Sequence, residues 1–265
     1  MTFFELLANR INSIGSILCI GLDPDPSHLP PHLQDEDLPL WSFNRRIIDA
    51  THSYAAAYKP NAAYYEHPDG WDSLVETIAY AHGKGVPVIL DAKRADIGNT
   101  AHQYAKLLDM ADAITANPYM GIDSLSPFLS RSAAGIFILC RTSNPGGSDL
   151  QNLKLSSGMH LYEHVALLAD SWNENGNVGL VVGATNPDEL QRVRNLTPDL
   201  PFLVPGVGAQ KGDAESAAKY CLSSSNAGLV SSSRSIIFAE EGDTFDKSAA
   251  EAAKRARNSL NQFLK

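Results

Sequence analysis

Several features are scarce in this sequence, and each scarcity excludes a class of protein. Cysteine is one: only Cys19, Cys140 and Cys221 occur in 265 residues, an odd number without the paired spacing of a zinc site. Cys19 and Cys140 stand inside apolar runs, where cysteine packs as a small hydrophobe, and a reducing, cytoplasmic setting is expected. Basic residues are outnumbered, 21 Lys and Arg against 30 Asp and Glu for a net charge of -9. That balance gives no electrostatic footprint for nucleic acid or an anionic membrane, so an anionic ligand would need a local basic pocket. No window approaches 18 consecutive apolar residues, and a membrane span is not expected. The opening MTFFELLANRINSIG mixes both charge signs in an amphipathic pattern, which reads as a helix and not as a secretion signal. Finally, no G-x-G-x-x-G follows the first apolar run, which counts against a dinucleotide-binding fold.

What is present is a rhythm of eight short apolar runs: ILCIGLD, AAAYKPN, VPVILDAK, ADAITANPY, GIFILCRTS, VGLVVGA, PFLVPGVG and AGLVSSSRSI. Most are separated by stretches of helical periodicity, such as LVETIAYAHGKG and LYEHVALLADSWNENG, the latter ending in residues suited to a helix C-cap. Strands apolar on both faces and alternating with helices imply a parallel sheet. Eight such units in this length predict a (β/α)8 TIM barrel, with an open doubly wound sheet as the alternative. No linker or composition shift divides the chain, so residues 1–265 are expected to form one barrel domain with an N-terminal helix. The longest expected loop is NPGGSDLQNLKLSSG, after the fifth run.

In a barrel of this kind the active site gathers where the strands end, and nearly every run here ends in polar residues. Asp23 closes the first, Lys59 and Asn61 the second, Asp91 and Lys93 the third, Thr142 and Ser143 the fifth, Ser233 and Arg234 the eighth. Side chains two apart on a strand share a face, so Asp91 and Lys93 should point where Ile89 points. Taken alone, Lys59 reads equally as a buried ion pair with Asp91 or as a Schiff-base nucleophile. Lys59, Asp91, Lys93 and Asp96 together could instead form a chain of alternating charge. At about 4 Å and an effective dielectric near 20, each neighbouring pair would gain roughly 4 kcal/mol before desolvation. Lysines held charged in this way suit proton donation. A plain helix N-cap is the other reading of Asp96.

VPGVGAQKGD, after the seventh run, is rich enough in glycine to turn backbone N–H groups toward a ligand, with Gln210 as an amide donor. Arg234, after the eighth, offers a planar guanidinium that can grip phosphate oxygens in pairs. The two segments together suggest a phosphate site where barrels commonly hold one. The histidines are scattered; only His160 and His164 in HLYEH could share a helix face, and the glutamate of H-E-x-x-H is out of place. No metal site is expected.

LDAKRADIGNT resembles the signature of the orotidine 5′-monophosphate decarboxylases. GLDPDP, YKPNAAYYE, NPYMGIDSLSPFL, CRTSNPG, VPGVGAQKGD and SSSRSI extend the resemblance over nearly the whole chain, toward the longer bacterial branch. D-x-K-x-x-D alone is shared with barrel enzymes acting on sugar phosphates; the combination is more specific. The resemblance implies decarboxylation of orotidine 5′-monophosphate to UMP without a cofactor, in a homodimer with shared active sites. It implies that Lys93 protonates C6, that Asp91 faces the departing carboxylate, and that Lys59 holds Asp91 and touches the ribose. Asp96 and Thr100 would act from the neighbouring subunit. Asp23 would bind ribose hydroxyls and Ser143 the pyrimidine edge. Gln210, Arg234 and the backbone around Ser233 would hold the phosphate, and the loop from Pro205 onward would close as a lid. CRTSNPG departs from shorter relatives, which makes Thr142 a weaker candidate contact than Ser143. Two rivals remain: a sugar-phosphate decarboxylase or aldolase of the same barrel group, some of which use Mg2+, and a barrel that binds a nucleotide phosphate without turnover.

Overall fold

The computed structural model describes residues 1–207, 213–225, 227–240 and 242–264. At its centre stand eight parallel strands: β1 (Leu18–Leu22), β2 (Ala57–Pro60), β3 (Ile89–Arg94), β4 (Ala113–Ala116), β5 (Gly135–Arg141), β6 (Val178–Val182), β7 (Phe202–Pro205) and β8 (Leu229–Ser232). Their order, β2-β1-β8-β7-β6-β5-β4-β3, keeps sequence neighbours adjacent. Parallel bridges from Tyr58 to Val88 and from Asn61 to Asp91 bring β2 back to β3. A doubly wound sheet would reverse direction beside its first strand; here the sheet is a nearly closed barrel. All eight apolar runs contain a strand, and β1 and β6 are buried at every position.

The outer layer forms because its helices carry one apolar stripe. In Phe245–Asn261 the buried residues are Phe245, Ala249, Ala252, Ala253 and Leu260, a spacing of three to four that lays one face on the barrel. The N-terminal helix Phe3–Ile14 is fixed at both ends. Thr2 and Glu5 cap each other reciprocally, and Gly15 ends the helix in the left-handed region at φ 59°. Phe3 and Phe4 meet the edge of Phe137 in β5, with ring centroids 6.0 and 5.5 Å away. Arg10 donates to the carbonyls of His52, Ala55 and Gly85. The helix thus closes the end of the barrel opposite the strand C-termini, leaving the other end open for a site.

Two expectations about helix ends are corrected. Leu161–Ser171 stops with Trp172 as its C-cap, and Gly176, at φ 65°, belongs to the turn that follows. Gly98–Ala105 is preceded by Ile97 as N-cap, without a side-chain cap. Asp96 instead accepts the Ile97 N–H at 2.8 Å. The long loop after β5 is more ordered than its composition suggests: it contains the helical turn Ser148–Gln151 and an antiparallel bridge between Lys154 and His160. No helix among the described residues is long and apolar enough to cross a membrane.

Candidate active site

The strand C-termini carry a chain of charges built on Asp91. Lys59, rising from β2, donates to Asp91 Oδ2 at 2.8 Å, and Lys93 donates to Asp91 Oδ1 at 2.7 Å. Lys59 and Asp91 are buried, with side chains only 8% and 11% exposed, whereas that of Lys93 is 47% exposed. Burial disfavours charge on Lys59, but the carboxylates of Asp91 and Asp23 outweigh it and hold the pKa above the ordinary lysine range. Burial likewise acts to raise Asp91, and the two ammonium groups prevail, keeping it well below the usual carboxylate range. Lys59 and Asp91 are therefore both ionised at neutral pH and fixed inside the wall, while the half-exposed Lys93 side chain reaches into the mouth.

The route by which Lys93 reaches the mouth differs from simple strand alternation. Leu90 pairs with Ile114 and Arg94 with Ala116, so three residues of β3, 91–93, stand opposite Thr115 alone. Lys93 lies within this bulge at φ 50°, in the left-handed region that residues with a Cβ rarely adopt. Its N–H donates to Thr115 Oγ1 at 2.9 Å, and Thr115 donates to Asp91 Oδ1 at 2.8 Å. Thr115 was not among the expected site residues. Its only signal in the sequence is a hydroxyl between Ile114 and Ala116 in the fourth run, and threonine is common in strands.

Beside the charges lies a cavity of about 340 Å3 lined by Asp23, Lys59, Asn61, Pro205, Ser233 and Arg234, among others. Five of the expected residues thus share one space. Asp23 accepts from Ser233 Oγ at 2.6 Å through Oδ2, while its Oδ1 is buried with no partner. The first and eighth strand ends can approach this closely because residue 21 is glycine; a Cβ there would stand 2.6 Å from Ser233 Cβ. Arg234 begins the turn Arg234–Ile237 and is exposed. Its guanidinium makes no salt bridge among the described residues.

Other expected residues are placed elsewhere. Ser143 is half-buried after β5, with Gly183 of the sixth strand end packed on its backbone, but it does not line this cavity. Thr142 is occupied within the loop: its N–H donates to Gln151 Oε1 at 2.9 Å and its hydroxyl to Asn144 at 2.6 Å. Arg141 adds bonds to Gln151 and to Glu189, so the segment carrying Ser143 is tied down from both sides. Gln151 is a further anchor that sequence reasoning missed. Thr100 is exposed on Gly98–Ala105, and Asp96 has no cationic partner within 4 Å among the described residues. Gln210, with most of the expected lid, lies outside the described residues. No three His, Cys, Asp or Glu side chains among the described residues converge as a metal cage. The three cysteines are free and buried; burial pushes the Cys19 thiol up to about 12, so it is no nucleophile at neutral pH.

Comparison with known proteins agrees with this geometry. The orotidine 5′-phosphate decarboxylase of Haloarcula marismortui is 62% identical over 99% of this chain and 100% of its own length. That of Azoarcus sp. is 49% identical over 99% of this chain and 100% of its own. The solved OMP decarboxylase of Leishmania donovani superposes with a TM-score of 0.85 at 42% identity, covering 99% of both chains. The UMP synthase of the same organism gives 0.87 at 43% identity, and there the match covers 99% of this chain but 56% of that longer one. Residues 16–250 match the family described as Orotidine 5′-phosphate decarboxylase / HUMPS family, and the chain belongs to that family.

Proposed function

We propose that this protein decarboxylates orotidine 5′-monophosphate to UMP in pyrimidine biosynthesis, with Lys93 as the proton donor. The observation that carries the reading is the Lys59–Asp91–Lys93 ion chain at 2.8 and 2.7 Å, set beside a cavity that Arg234 also lines, in a chain of this family.

The substrate phosphate sits with Arg234 and the N–H groups at the start of the turn that follows Ser233; Gln210 joins them on the strength of the sequence. The first N–H groups of a helical turn have no partner within it, so they are free to donate to an anion. Asp23 Oδ1, buried and unpartnered, accepts from a ribose hydroxyl, and Lys59 donates to the ribose from the wall. Ser143 meets the pyrimidine edge. Asp91 then faces the C6 carboxylate, with Lys93 beside it.

Loss of CO2 breaks the bond from C6 to the carboxylate carbon and leaves the electron pair on C6. The ring delocalises that pair poorly, so the barrier falls only if positive charge is already in place where the carbanion forms. Lys93 provides it, because Asp91 and Lys59 hold its ammonium in place before the reaction begins. Transfer of one proton from Nζ to C6 completes UMP, and water restores the proton to Lys93. Binding of the distant phosphate contributes by orienting C6 against Lys93, so its binding energy is expressed in the transition state.

The protein acts as a cytoplasmic homodimer whose sites are shared, Asp96 and Thr100 serving the partner. Ile97, Tyr119, Met120 and Ile122 support this. They are exposed apolar residues on the segments following β3 and β4. Ile97 adjoins Asp96, and the turn Ile122–Ser124 packs against the helix Gly98–Ala105 that carries Thr100; exposed apolar area of that kind marks an association surface. The direct test is the absorbance change as orotidine 5′-monophosphate becomes UMP, in EDTA and without added cofactor. Turnover that survives EDTA is the expected result. Activity abolished by chelation and restored by Mg2+ would favour the sugar-phosphate rival.

A further inference from the structure

The bulge in β3 creates a problem that one side chain resolves. With 91–93 standing opposite a single residue of β4, the Lys93 N–H loses the carbonyl that a regular ladder would give it, and a donor left unpaired at this part-buried position is disfavoured. Thr115 Oγ1 takes that N–H at 2.9 Å. The same hydroxyl has one proton, and it goes to Asp91 Oδ1 at 2.8 Å, the oxygen that also accepts the Lys93 ammonium at 2.7 Å. Both ends of Lys93, backbone amide and charged tip, are therefore referred to one hydroxyl. Thr115 is 1% exposed, so water has no access to replace it.

We infer that Thr115 is a positioning residue: it holds the left-handed turn at Lys93 and sets the rotation of the Asp91 carboxylate, and so fixes where the Lys93 proton is presented. The inference rests on the reading of Lys93 as proton donor. Threonine suits the task because a β-branched side chain on a strand has few rotamers, leaving the hydroxyl aimed between the two residues it serves. Thr115 would touch no substrate atom and would act only through Lys93 and Asp91.

The test uses Thr115→Val, which keeps the shape and removes the hydroxyl, and Thr115→Ser, which keeps the hydroxyl. Turnover of orotidine 5′-monophosphate, UMP affinity and thermal melting are measured for each, with Lys93→Ala as reference. Displacing a reacting group by about 1 Å can cost on the order of 100-fold in rate. Thr115→Val is accordingly expected to lower kcat by about 10- to 100-fold, with UMP affinity within about threefold of wild type, while Thr115→Ser recovers kcat to within about threefold. If Thr115→Val proves unfolded, Thr115→Ala supplies the same loss without the added methyl. Wild-type kcat in a folded variant lacking the hydroxyl, with Lys93→Ala inactive, would overturn the inference and leave the proton donor standing. Parallel loss of kcat and UMP affinity in both the Val and Ser variants would also overturn it, as a sign of a merely structural role. Full turnover by Lys93→Ala would instead defeat the reading on which the inference rests.

Discussion

Removing the charge of Asp91 tests how the ion chain divides its work between stability and chemistry. Asp91→Asn preserves shape but leaves the Lys59 ammonium, in a side chain only 8% exposed, facing an amide. At 2.8 Å and an effective dielectric of about 20, the lost attraction is roughly 6 kcal/mol before compensation. Breaking a buried pair by deleting one partner typically costs about 3–5 kcal/mol. Lys59 has one escape, which is to give up its proton. For a lysine of ordinary pKa near 10.4 that costs about 4.6 kcal/mol at pH 7, a ceiling in the same range. Lys93 differs: its pairing at 2.7 Å is half in solvent, and screened pairs of that kind are worth about 1 kcal/mol or less. Calorimetry at equal protein concentration should show Asp91→Asn melting roughly 6–15 °C below wild type and Lys93→Ala within about 4 °C, although both lose turnover. If Lys59 does escape by deprotonation, the Asp91→Asn deficit should also narrow by up to about 1.4 kcal/mol per pH unit between pH 7 and 10. A deficit below about 1 kcal/mol, or one equalled by Lys93→Ala, would refute the division.

Three further outcomes are expected. Arg234→Ala should weaken UMP binding, whereas Lys93→Ala should nearly abolish turnover with UMP affinity within about tenfold, roughly 1.4 kcal/mol; equal losses of UMP binding in calorimetric titration would contradict the separation. Mixing inactive Lys93→Ala and Asp96→Ala proteins under conditions of verified subunit exchange should restore activity, since an isologous dimer would then contain one wholly native site; activity remaining at the parental level would show that Asp96 serves its own chain. His82 lies 2.8 Å from Asp112, and that hydrogen bond is the main cause holding the His82 pKa above its ordinary value, with burial opposing it and the Asp112 charge assisting. The stabilisation is therefore full below about pH 6.5, the unfolded value, and lost as pH rises through the raised folded one. The melting difference between wild type and His82→Gln should shrink from pH 5.5 to 9, and a constant difference would contradict the assignment.

The barrel was legible because its physical cause is local and repeated. A strand covered on both sides is apolar along most of its length, so β1 and β6 stand out as unbroken runs, and the polar residues that end most of the eight runs are legible as a mouth once the runs are counted. Helix ends were less so. They turn on single residues, and Asp96, which has the chemistry of an N-cap, spends its carboxylate on the adjacent Ile97 N–H while the helix begins at Gly98.

The site shows the same boundary from the other side. Lys59, Asp91 and Lys93 announce themselves, since full charges at the ends of buried strands need a reason. Strand alternation would have carried Lys93 to the face of Asp91 without distortion, yet the chain inserts residues opposite Thr115 and turns Lys93 through φ 50°. Strict alternation would keep the Lys93 side chain against the wall beside Asp91, whereas the bulge leaves it 47% exposed while its tip still reaches Asp91 Oδ1. A proton donor needs both the charged partner behind it and open space before it. That requirement is met by backbone geometry, which a pattern of residue types does not encode, and by Thr115, whose hydroxyl is indistinguishable in sequence from any other strand threonine. Charge identity was therefore readable from the sequence, while the placement of that charge became readable only with the pairing of β3 against β4.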